Sequence, residues 1–254
     1  MANRQGMQTQ DVVIVTGGSR GIGAAIVRRA VACGYDVCFS YRDNEAAATG
    51  LIGMLAESGR RIVAVRGDIG DPDFPARLFA EALERVGEPT ALVNNAGITG
   101  RIGRFADLPL PVLRRTLDVN LIGAMLLSQC AIRHWEQRTI AGRIVNISSI
   151  ASTLGAPSEY VHYAASKAAI EAFSVGLARE VGNLGIRVNA LAPGTTLTDI
   201  HAEGGDPDRP QRVASRIPLG RPAEPDEIAA AVLWLLSDEA SYMTGSVMRV
   251  GGGL

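Results

Sequence analysis

The sequence lacks most of the features that mark extracellular, membrane or nucleic-acid-binding proteins. Only three of its 254 residues are cysteines, Cys33, Cys38 and Cys130, and they form no CxxC pair, which argues against disulfides and zinc sites. We expect no signal peptide, and no apolar run reaches the ~18 residues that a membrane helix needs. A net charge of −1 offers no basic surface to nucleic acid. We therefore expect a cytoplasmic protein with neither membrane nor nucleic-acid partners.

Metal ligands are also scarce. The three histidines, His134, His162 and His201, lack metal-ligand spacing, so no metal site is expected. The polar residues 1–10 are expected to form a tail. No linker, repeat or low-complexity stretch divides residues 11–254, and with 47% hydrophobic residues the chain can bury a sizeable core. We expect a single domain.

Apolar, β-branched runs alternate with helical patterns along the chain. The strand predictions are residues 11–16, 36–41, 61–67, 91–94, 143–148, 186–192 and 246–250. The helix predictions are residues 22–33, 45–57, 74–86, 112–136, 162–181 and 226–236. Strands joined by helical crossovers pair in parallel, with helices on both faces. The pattern predicts an α/β fold, a single-domain Rossmann-like doubly wound sheet of seven parallel strands, which binds ligands at the strands' carboxyl ends.

A glycine-rich turn follows the first predicted strand. The residues TGGSRGIG at 16–23 lie between a strand and a helix, which is the context that a dinucleotide-binding turn requires. Gly17 permits the tight turn, and Gly21 and Gly23 let the backbone approach a pyrophosphate at the helix N-terminus. The spacing is TGxxxGxG rather than GxGxxG. We expect this turn to hold a dinucleotide.

Tyr163 and Lys167 are four residues apart in a predicted helix and so share one helix face. An ammonium ~4 Å from the phenol would move the pKa of Tyr163 from ~10 toward ~7, where general acid–base catalysis is efficient. Tyr160 has an alanine four residues later and lacks this partner. We interpret Tyr160 as a wall of the substrate pocket.

These motifs resemble the short-chain dehydrogenase/reductase family, in its compact single-domain branch. The resemblance covers residues 11–254 and rests on TGGSRGIG at 16–23, Asp68-Ile69, NNAG at 94–97, VNLIG at 119–123, SS at 148–149, YAASK at 163–167 and PG at 193–194. Residues 159–163 and the segment near His201 resemble a bacterial glucose-1-dehydrogenase-like or 3-oxoacyl reductase-like subgroup. The resemblance implies an oxidoreductase that moves a hydride between a nicotinamide cofactor and the carbonyl or secondary alcohol of a small molecule.

The resemblance implies four catalytic residues. Tyr163 would be the general acid or base, and Lys167 would lower its pKa and bind the nicotinamide ribose. Ser149 would hydrogen-bond the substrate oxygen, with Ser148 as the alternative. Asn120 would break the regularity of its helix and hold a water in a proton relay to Lys167.

The resemblance also implies where the cofactor binds. The expected contacts are Gly17, Ser19, Arg20, Gly21, Ile22, Gly23, Tyr41, Arg42, Asp68, Ile69, Asn95, Ala96, Gly97, Tyr163, Lys167, Pro193, Gly194, Thr196 and Thr198. Asp68 and Ile69 would flank the adenine. Asn94 would brace neighbouring strands, and Thr16 would buttress the glycine-rich turn.

The end of the second predicted strand bears on which nicotinamide is used. NAD enzymes usually place an acidic residue there to bind the ribose 2′-hydroxyl. Here Tyr41 is followed by Arg42, and Arg20 lies in the glycine-rich turn, whereas Asp43 is one residue further on. Two arginines favour a 2′-phosphate. We predict NADP(H) over NAD(H).

Residues 195–222 form the one irregular region, rich in glycine, proline and charge. A loop of this length in a compact domain is typical of a functional lid, so we predict that it covers the substrate. The charged side chains in it leave the substrate open. The resemblance further implies a homotetramer, with the helices at 112–136 and 162–181 in one interface and the C-terminal strand in another.

Two other functions are compatible with this fold. A catalytically silent, dinucleotide-sensing regulatory protein is the alternative, although a sensor need not keep all four catalytic residues. An enoyl reductase of the same superfamily would have a longer gap between tyrosine and lysine than the one here.

Overall fold

Strands and helices alternate along residues 11–254, which are the residues that this computed structural model describes. The tail predicted for residues 1–10 lies outside them. The strands are β1 (Val12–Val15), β2 (Asp36–Tyr41), β3 (Ile62–Arg66), β4 (Pro89–Asn94), β5 (Arg143–Ile147), β6 (Arg187–Pro193) and β7 (Val247–Val250). The helices are α1 (Gly21–Ala32), α2 (Glu45–Met54), α3 (Phe74–Arg85), α4 (Leu110–Leu117), α5 (Gly123–Arg138), α6 (Ala151–Leu154), α7 (Val161–Val181), α8 (Ile200–Glu203), α9 (Arg209–Val213) and α10 (Pro225–Leu236). No helix among them is long and apolar enough to cross a membrane.

The seven strands form one parallel sheet in the order β3-β2-β1-β4-β5-β6-β7. The order reverses between β1 and β4, so the connections after these two strands diverge and leave a crevice at their carboxyl ends. This confirms the predicted doubly wound, seven-stranded parallel sheet.

Two apolar layers hold the sheet between its helices. The side chains of β1 alternate between them: Val13 and Val15 pack with α1 and α10, whereas Val12 and Ile14 pack with α3 and α5. Every residue of β1 is buried, as expected for a central strand covered on both faces. The sheet is therefore a rigid support for the loops at its rim.

The helix predicted at 112–136 is interrupted in the structure. Helices α4 and α5 are joined by a π turn, Asp118–Ile122, in which the Gly123 N–H donates to the carbonyl of Asp118 five residues earlier. Single π turns within α-helices are frequently found at functional sites. The helix predicted at 45–57 also ends early, at Met54, and is followed by a 3-10 turn and by Gly59 in the left-handed region.

Residues 195–222 are more regular than the sequence suggested, since they contain α8, α9 and a 3-10 turn, Ala214–Arg216. The two ends of this segment are tied together. The Leu197 N–H donates to the carbonyl of Ala223, and the Ala223 N–H donates to the carbonyl of Thr195, both at 2.9 Å. The segment is thus an excursion with a closed base.

A buried polar network joins β4 and β5 to the helices beneath them. The Asn94 side-chain amide donates to Asn146 Oδ1 at 2.8 Å and to Ser128 Oγ at 3.1 Å. The Asn146 amide donates in turn to Ser174 Oγ at 2.8 Å. Asn94 therefore braces neighbouring strands, as its position suggested.

We expect Asn146→Ala to lower the free energy of unfolding by about 2–3 kcal/mol, because it deletes two buried hydrogen bonds, one with Asn94 and one with Ser174. Ser174→Ala removes one bond of the same network and should cost about 1 kcal/mol. Urea unfolding followed by circular dichroism measures both. Equal costs for the two variants would contradict the network's importance.

Candidate active site

A cleft of about 540 Å³ opens at the carboxyl ends of the strands, beside the reversal in strand order. All the predicted cofactor contacts line it, from Gly17 in the first loop to Thr198 after β6. Of the predicted catalytic residues, Ser149, Tyr163 and Lys167 also line the cleft, whereas Asn120 lies behind its wall. The fold thus brings together residues that are far apart in the chain.

The glycine-rich turn leaves room for a ligand because its glycines carry no side chains. Gly17 and Gly21 have positive φ angles of 65° and 53°, which favour glycine. A Cβ at Gly23 would lie 2.1 Å from the carbonyl oxygen of Gly17, so no other residue fits there. These glycines form a cradle at the N-terminus of α1 that suits the pyrophosphate of a dinucleotide.

Thr16 and Asn95 lock this turn to the loop after β4. Thr16 Oγ1 accepts hydrogen bonds from the backbone N–H groups of Asn95 and Ala96, at 2.9 and 3.0 Å. The Asn95 amide donates back to the carbonyl of Thr16 at 2.9 Å. Thr16 therefore buttresses the turn, as expected, and Asn95 shares that task.

Tyr163 and Lys167 lie side by side on α7, with exposures of 8% and 3%. Lys167 Nζ is 5.7 Å from the centroid of the Tyr163 ring. The ammonium donates to the carbonyl oxygen of Ile147 at 2.7 Å, at the end of β5. Lys167 is thus held at the floor of the cleft by the sheet.

Burial dominates the proton affinities of this pair. It raises the pKa of Tyr163, against the opposing effects of a hydrogen bond with Ser149 and of the positive charge of Arg209. Burial lowers the pKa of Lys167 to about 8. The sequence predicted that Lys167 would pull the pKa of Tyr163 down, but in this structure desolvation of the phenol prevails, and the lysine bonds to a carbonyl instead.

Asn120 lies in the π turn between α4 and α5, so the predicted break in helix regularity is present. Its side chain binds protein groups: Oδ1 accepts from the Ile98 N–H at 2.8 Å, and Nδ2 donates to the Ile98 carbonyl and to Ser166 Oγ. A Cβ placed on Gly97 would lie 3.3 Å from Lys167 Nζ and 3.4 Å from Asn120 Oδ1. Gly97 therefore separates Asn120 from Lys167.

The two serines after β5 differ in their surroundings. Ser148 is buried, and its hydroxyl binds the carbonyl of Lys167 at 3.1 Å and Glu171 Oε1 at 2.6 Å. Ser149 lines the cleft, its hydroxyl accepts a hydrogen bond from the Ala151 N–H at 3.1 Å, and it lowers the pKa of Tyr163 against the effect of burial. Of the two candidates, the geometry favours Ser149 as the serine that meets a substrate.

The sequence did not predict an ion pair at Asp68, one of the two residues expected to flank an adenine. Arg115 of α4 donates to both carboxylate oxygens of Asp68, at 2.7 and 2.6 Å, and both residues line the cleft. Burial would raise the pKa of Asp68, but the bonds from Arg115 and the Gly70 N–H outweigh it, so the pKa is lowered. No local signal links positions 68 and 115, because the contact exists only in the folded chain.

Both arginines expected at a 2′-phosphate have carboxylate partners. Arg42 pairs with Asp43, and Arg20 pairs with Glu203 of α8. The Arg20 and Glu203 side chains are 45% and 44% exposed, so their pair is weakly stabilising. Arg20 can therefore exchange this partner for a ligand.

The lysine content of the chain also points to residue 167. Of the 25 lysine and arginine residues in the sequence, only residue 167 is a lysine. Arginine stays protonated in proteins, whereas lysine shifts its pKa readily on burial. A single lysine, placed where burial lowers its pKa, is a stronger indicator of function than the YxxxK spacing alone.

Comparison with known sequences finds relatives along nearly the whole chain. A family model described as enoyl-(acyl carrier protein) reductase matches residues 17–254. The chain is 41% identical over 245 residues to the uncharacterized oxidoreductase YgfF of Escherichia coli (strain K12), covering 95% of this chain and 99% of that protein. It is 36% identical over 244 residues to the L-rhamnose 1-dehydrogenase (NAD(P)(+)) of Sphingomonas sp. (strain SKA58), covering 95% of each.

A solved structure is similar over the same span. The short chain dehydrogenase from Burkholderia cenocepacia J2315 in complex with NADP superposes with a TM-score of 0.88 at 35% identity. The match covers 96% of this chain and 97% of that chain. Fold and sequence likeness therefore point to the same family.

The single lysine makes its ionisation directly measurable. In protein labelled with [¹³C]lysine, we expect one Cε resonance that titrates with a midpoint of about 8. The reason is that the buried site disfavours the ammonium relative to water. A midpoint near the ordinary value of 10.5 would contradict the burial described here.

Proposed function

Because the chain belongs to the short-chain dehydrogenase/reductase family, we propose that it moves a hydride between NADP(H) and the carbonyl or secondary alcohol of a small molecule. One observation carries the proposal: the Tyr163 phenol, the Ser149 hydroxyl and the Lys167 ammonium line the same cleft as the glycine-rich turn. Hydride chemistry is supplied by a bound nicotinamide; the protein orients and polarises.

In the reducing direction, Tyr163 donates its proton to the substrate oxygen as negative charge develops there. Ser149 donates a hydrogen bond to the same oxygen. Lys167, anchored on the Ile147 carbonyl, places a positive charge beside the phenol and stabilises the phenolate that remains. In the oxidising direction the same groups act in reverse, and Tyr163 accepts the proton of the alcohol.

Asn120 serves this set by holding the wall of the cleft. Its three bonds to Ile98 and Ser166 fix the loop after β4 against α7. The π turn places residue 120 beside Gly97, next to the ammonium of Lys167. We propose that a water bound here relays protons to Lys167.

The cofactor would lie along the cleft from Asp68 and Ile69 at the adenine to Pro193, Gly194 and Thr196 at the nicotinamide. The glycine-rich turn and the loop after β6 meet beside it, since a Cβ on Gly21 would be 3.1 Å from Thr198 Cγ2. The preference for NADP(H) rests on Arg20 and Arg42, both of which line the cleft. The NADP-bound Burkholderia structure supports this preference.

Residues 195–222 would close over the substrate. The segment has a closed base and contributes Ile200, His201, Arg209, Val213 and Arg216 to the cleft wall. This mixture of apolar and charged side chains suits a small polar molecule. The L-rhamnose 1-dehydrogenase relative supports placing aldoses first in a substrate panel.

Two rival functions make different predictions. A dinucleotide sensor would bind NADP(H) without turning over any carbonyl or alcohol. An enoyl reductase, the activity that the matching family model describes, would reduce a carbon–carbon double bond. The four-residue spacing of Tyr163 and Lys167 favours carbonyl chemistry over enoyl reduction, and the presence of all four predicted catalytic residues favours it over a sensor. The homotetramer implied by the family also stays a proposal, supported by the exposed apolar side chains of Ile122 and Met125.

Tyr163→Phe should lower kcat by at least ~100-fold, because the ring remains but the transferable proton is lost. Cofactor binding, followed by fluorescence of the reduced nicotinamide, should stay within about threefold of the wild type. The assay screens aldoses, ketones and secondary alcohols with both cofactors at the reduced-nicotinamide absorbance band. Full activity in this variant would refute the assignment, and reduction of enoyl thioesters alone would favour the reductase.

Arg42→Ala should weaken NADP⁺ binding roughly tenfold and leave NAD⁺ binding nearly unchanged, because only NADP⁺ carries the 2′-phosphate.

Glu203→Gln should tighten NADP⁺ binding by freeing Arg20, with Asp199→Asn as the control because Asp199 lies 4.0 Å from Arg20. Calorimetric titration gives each dissociation constant. Tighter binding of NAD⁺ than NADP⁺ by the wild type would show the preference to be wrong.

A further inference from the structure

Three segments meet at the substrate end of the cleft. The Gly103 N–H donates to the carbonyl of Glu159 at 2.8 Å, and the Ile102 N–H donates to the carbonyl of Gly204 at 3.2 Å. The loop before α4 is therefore bonded to the loop before α7 and to the segment 195–222. These backbone bonds bring α9 close to the start of the helix that carries Tyr163.

Arg209 of α9 makes the side-chain link across this junction. Its Nη2 and Nε donate to Glu159 Oε2 at 2.7 and 3.0 Å. The two side chains are only 15% and 23% exposed, which sets this pair apart from the exposed ion pairs of the surface. The Arg209 guanidinium also lies over the ring of Tyr160, 5.1 Å from its centroid.

Tyr160, on which Arg209 lies, is itself in contact with Tyr163. The two rings meet edge to face, with centroids 5.3 Å apart and an interplanar angle of 87°. The loop that carries Tyr160 contains two non-glycine residues with positive φ, Ala156 at 44° and Ser158 at 61°. Such a backbone persists only where its surroundings hold it, and the bonds to Glu159 and Tyr160 supply that hold.

We propose that Arg209 is a positioning residue: clasped by Glu159, it presses on Tyr160, fixes the ring of Tyr163, and makes proton transfer depend on closure of the segment 195–222. The inference rests on the proposed function, in which Tyr163 is the acid or base. It assigns to α9 a part in the chemistry, beyond covering the substrate.

The charges around Tyr163 determine in which direction its pKa changes when Arg209 is replaced. The charged and titratable groups that line the cleft with Tyr163 are Lys167 on the same helix, Arg209 and His201 of the segment 195–222, and Glu159 of the preceding loop. The positive charge of Arg209 lowers the pKa of Tyr163 against the effect of burial. Removing that charge should therefore raise the pKa of Tyr163.

The test compares Arg209→Gln with Arg212→Gln. Arg212 also approaches Glu159, at 3.7 Å, but is half exposed and pairs mainly with Asp206, so it is a matched control. The readout is the Cζ resonance of Tyr163 in protein labelled with [¹³Cζ]tyrosine, assigned by its loss in Tyr163→Phe. We expect Arg209→Gln to raise the titration midpoint by roughly half a pH unit or more, and Arg212→Gln to leave it unchanged.

Arg209→Lys separates charge from geometry, since it keeps the cation but loses the paired hydrogen bonds. Its midpoint should lie near that of the wild type, while amide exchange in residues 155–160 should accelerate as in Arg209→Gln. Unchanged exchange in the strands shows that the variants are folded. A wild-type midpoint in Arg209→Gln, or an equal shift in Arg212→Gln, would overturn the inference. Because no turnover is needed, this outcome is independent of the Tyr163→Phe activity test.

Discussion

The burial of a phenol and an amine on the same helix face is the constraint on which this site depends. Tyr163 and Lys167 are both almost withdrawn from water, and in such surroundings each charged form is costly unless a partner is supplied. The sheet supplies one partner, because the end of β5 presents the Ile147 carbonyl to the ammonium. The glycine-rich turn and the Asn120 loop complete the walls of the cleft. The parallel fold thus places the end of a strand beside Lys167, at the carboxyl edge of the sheet.

The segment 195–222 connects the two ends of the cleft. Near its start, Glu203 reaches Arg20 in the glycine-rich turn; further on, Arg209 reaches Glu159, just before α7. The segment 195–222 therefore places the Glu203 carboxylate at one end of the cleft and the Arg209 guanidinium at the other. A ligand that competes for Arg20 would act on the same segment that bears Arg209. Both ends of the cleft are thus in contact with one segment.

The sheet could be predicted from the sequence, and so could the set of expected cofactor contacts that line the cleft. Alternating strand and helix patterns predicted seven parallel strands, and the motif residues that line the cleft lie at the ends of those strands, in the loops that follow them, or in α1 and α7. Contacts between distant side chains were beyond reach, as Arg115 with Asp68 and Arg209 with Glu159 show, since nothing local pairs them. The π turn at Asn120 and the short helices in residues 195–222 depend on packing in the same way. The predicted direction of the Tyr163 pKa shift was wrong, because the spacing of two residues does not reveal how deeply the phenol is buried.

The solitary lysine has a practical consequence. Acylating reagents, bifunctional esters and acetyl-transferring enzymes all act on the ε-amine, and no lysine side chain is present on the outer surface to receive them. Any ε-acylation must occur at the floor of the cleft, where it would neutralise the ammonium beside the phenol. Such modification would report directly on how far the cleft opens, and immobilisation through lysine would select against the closed form.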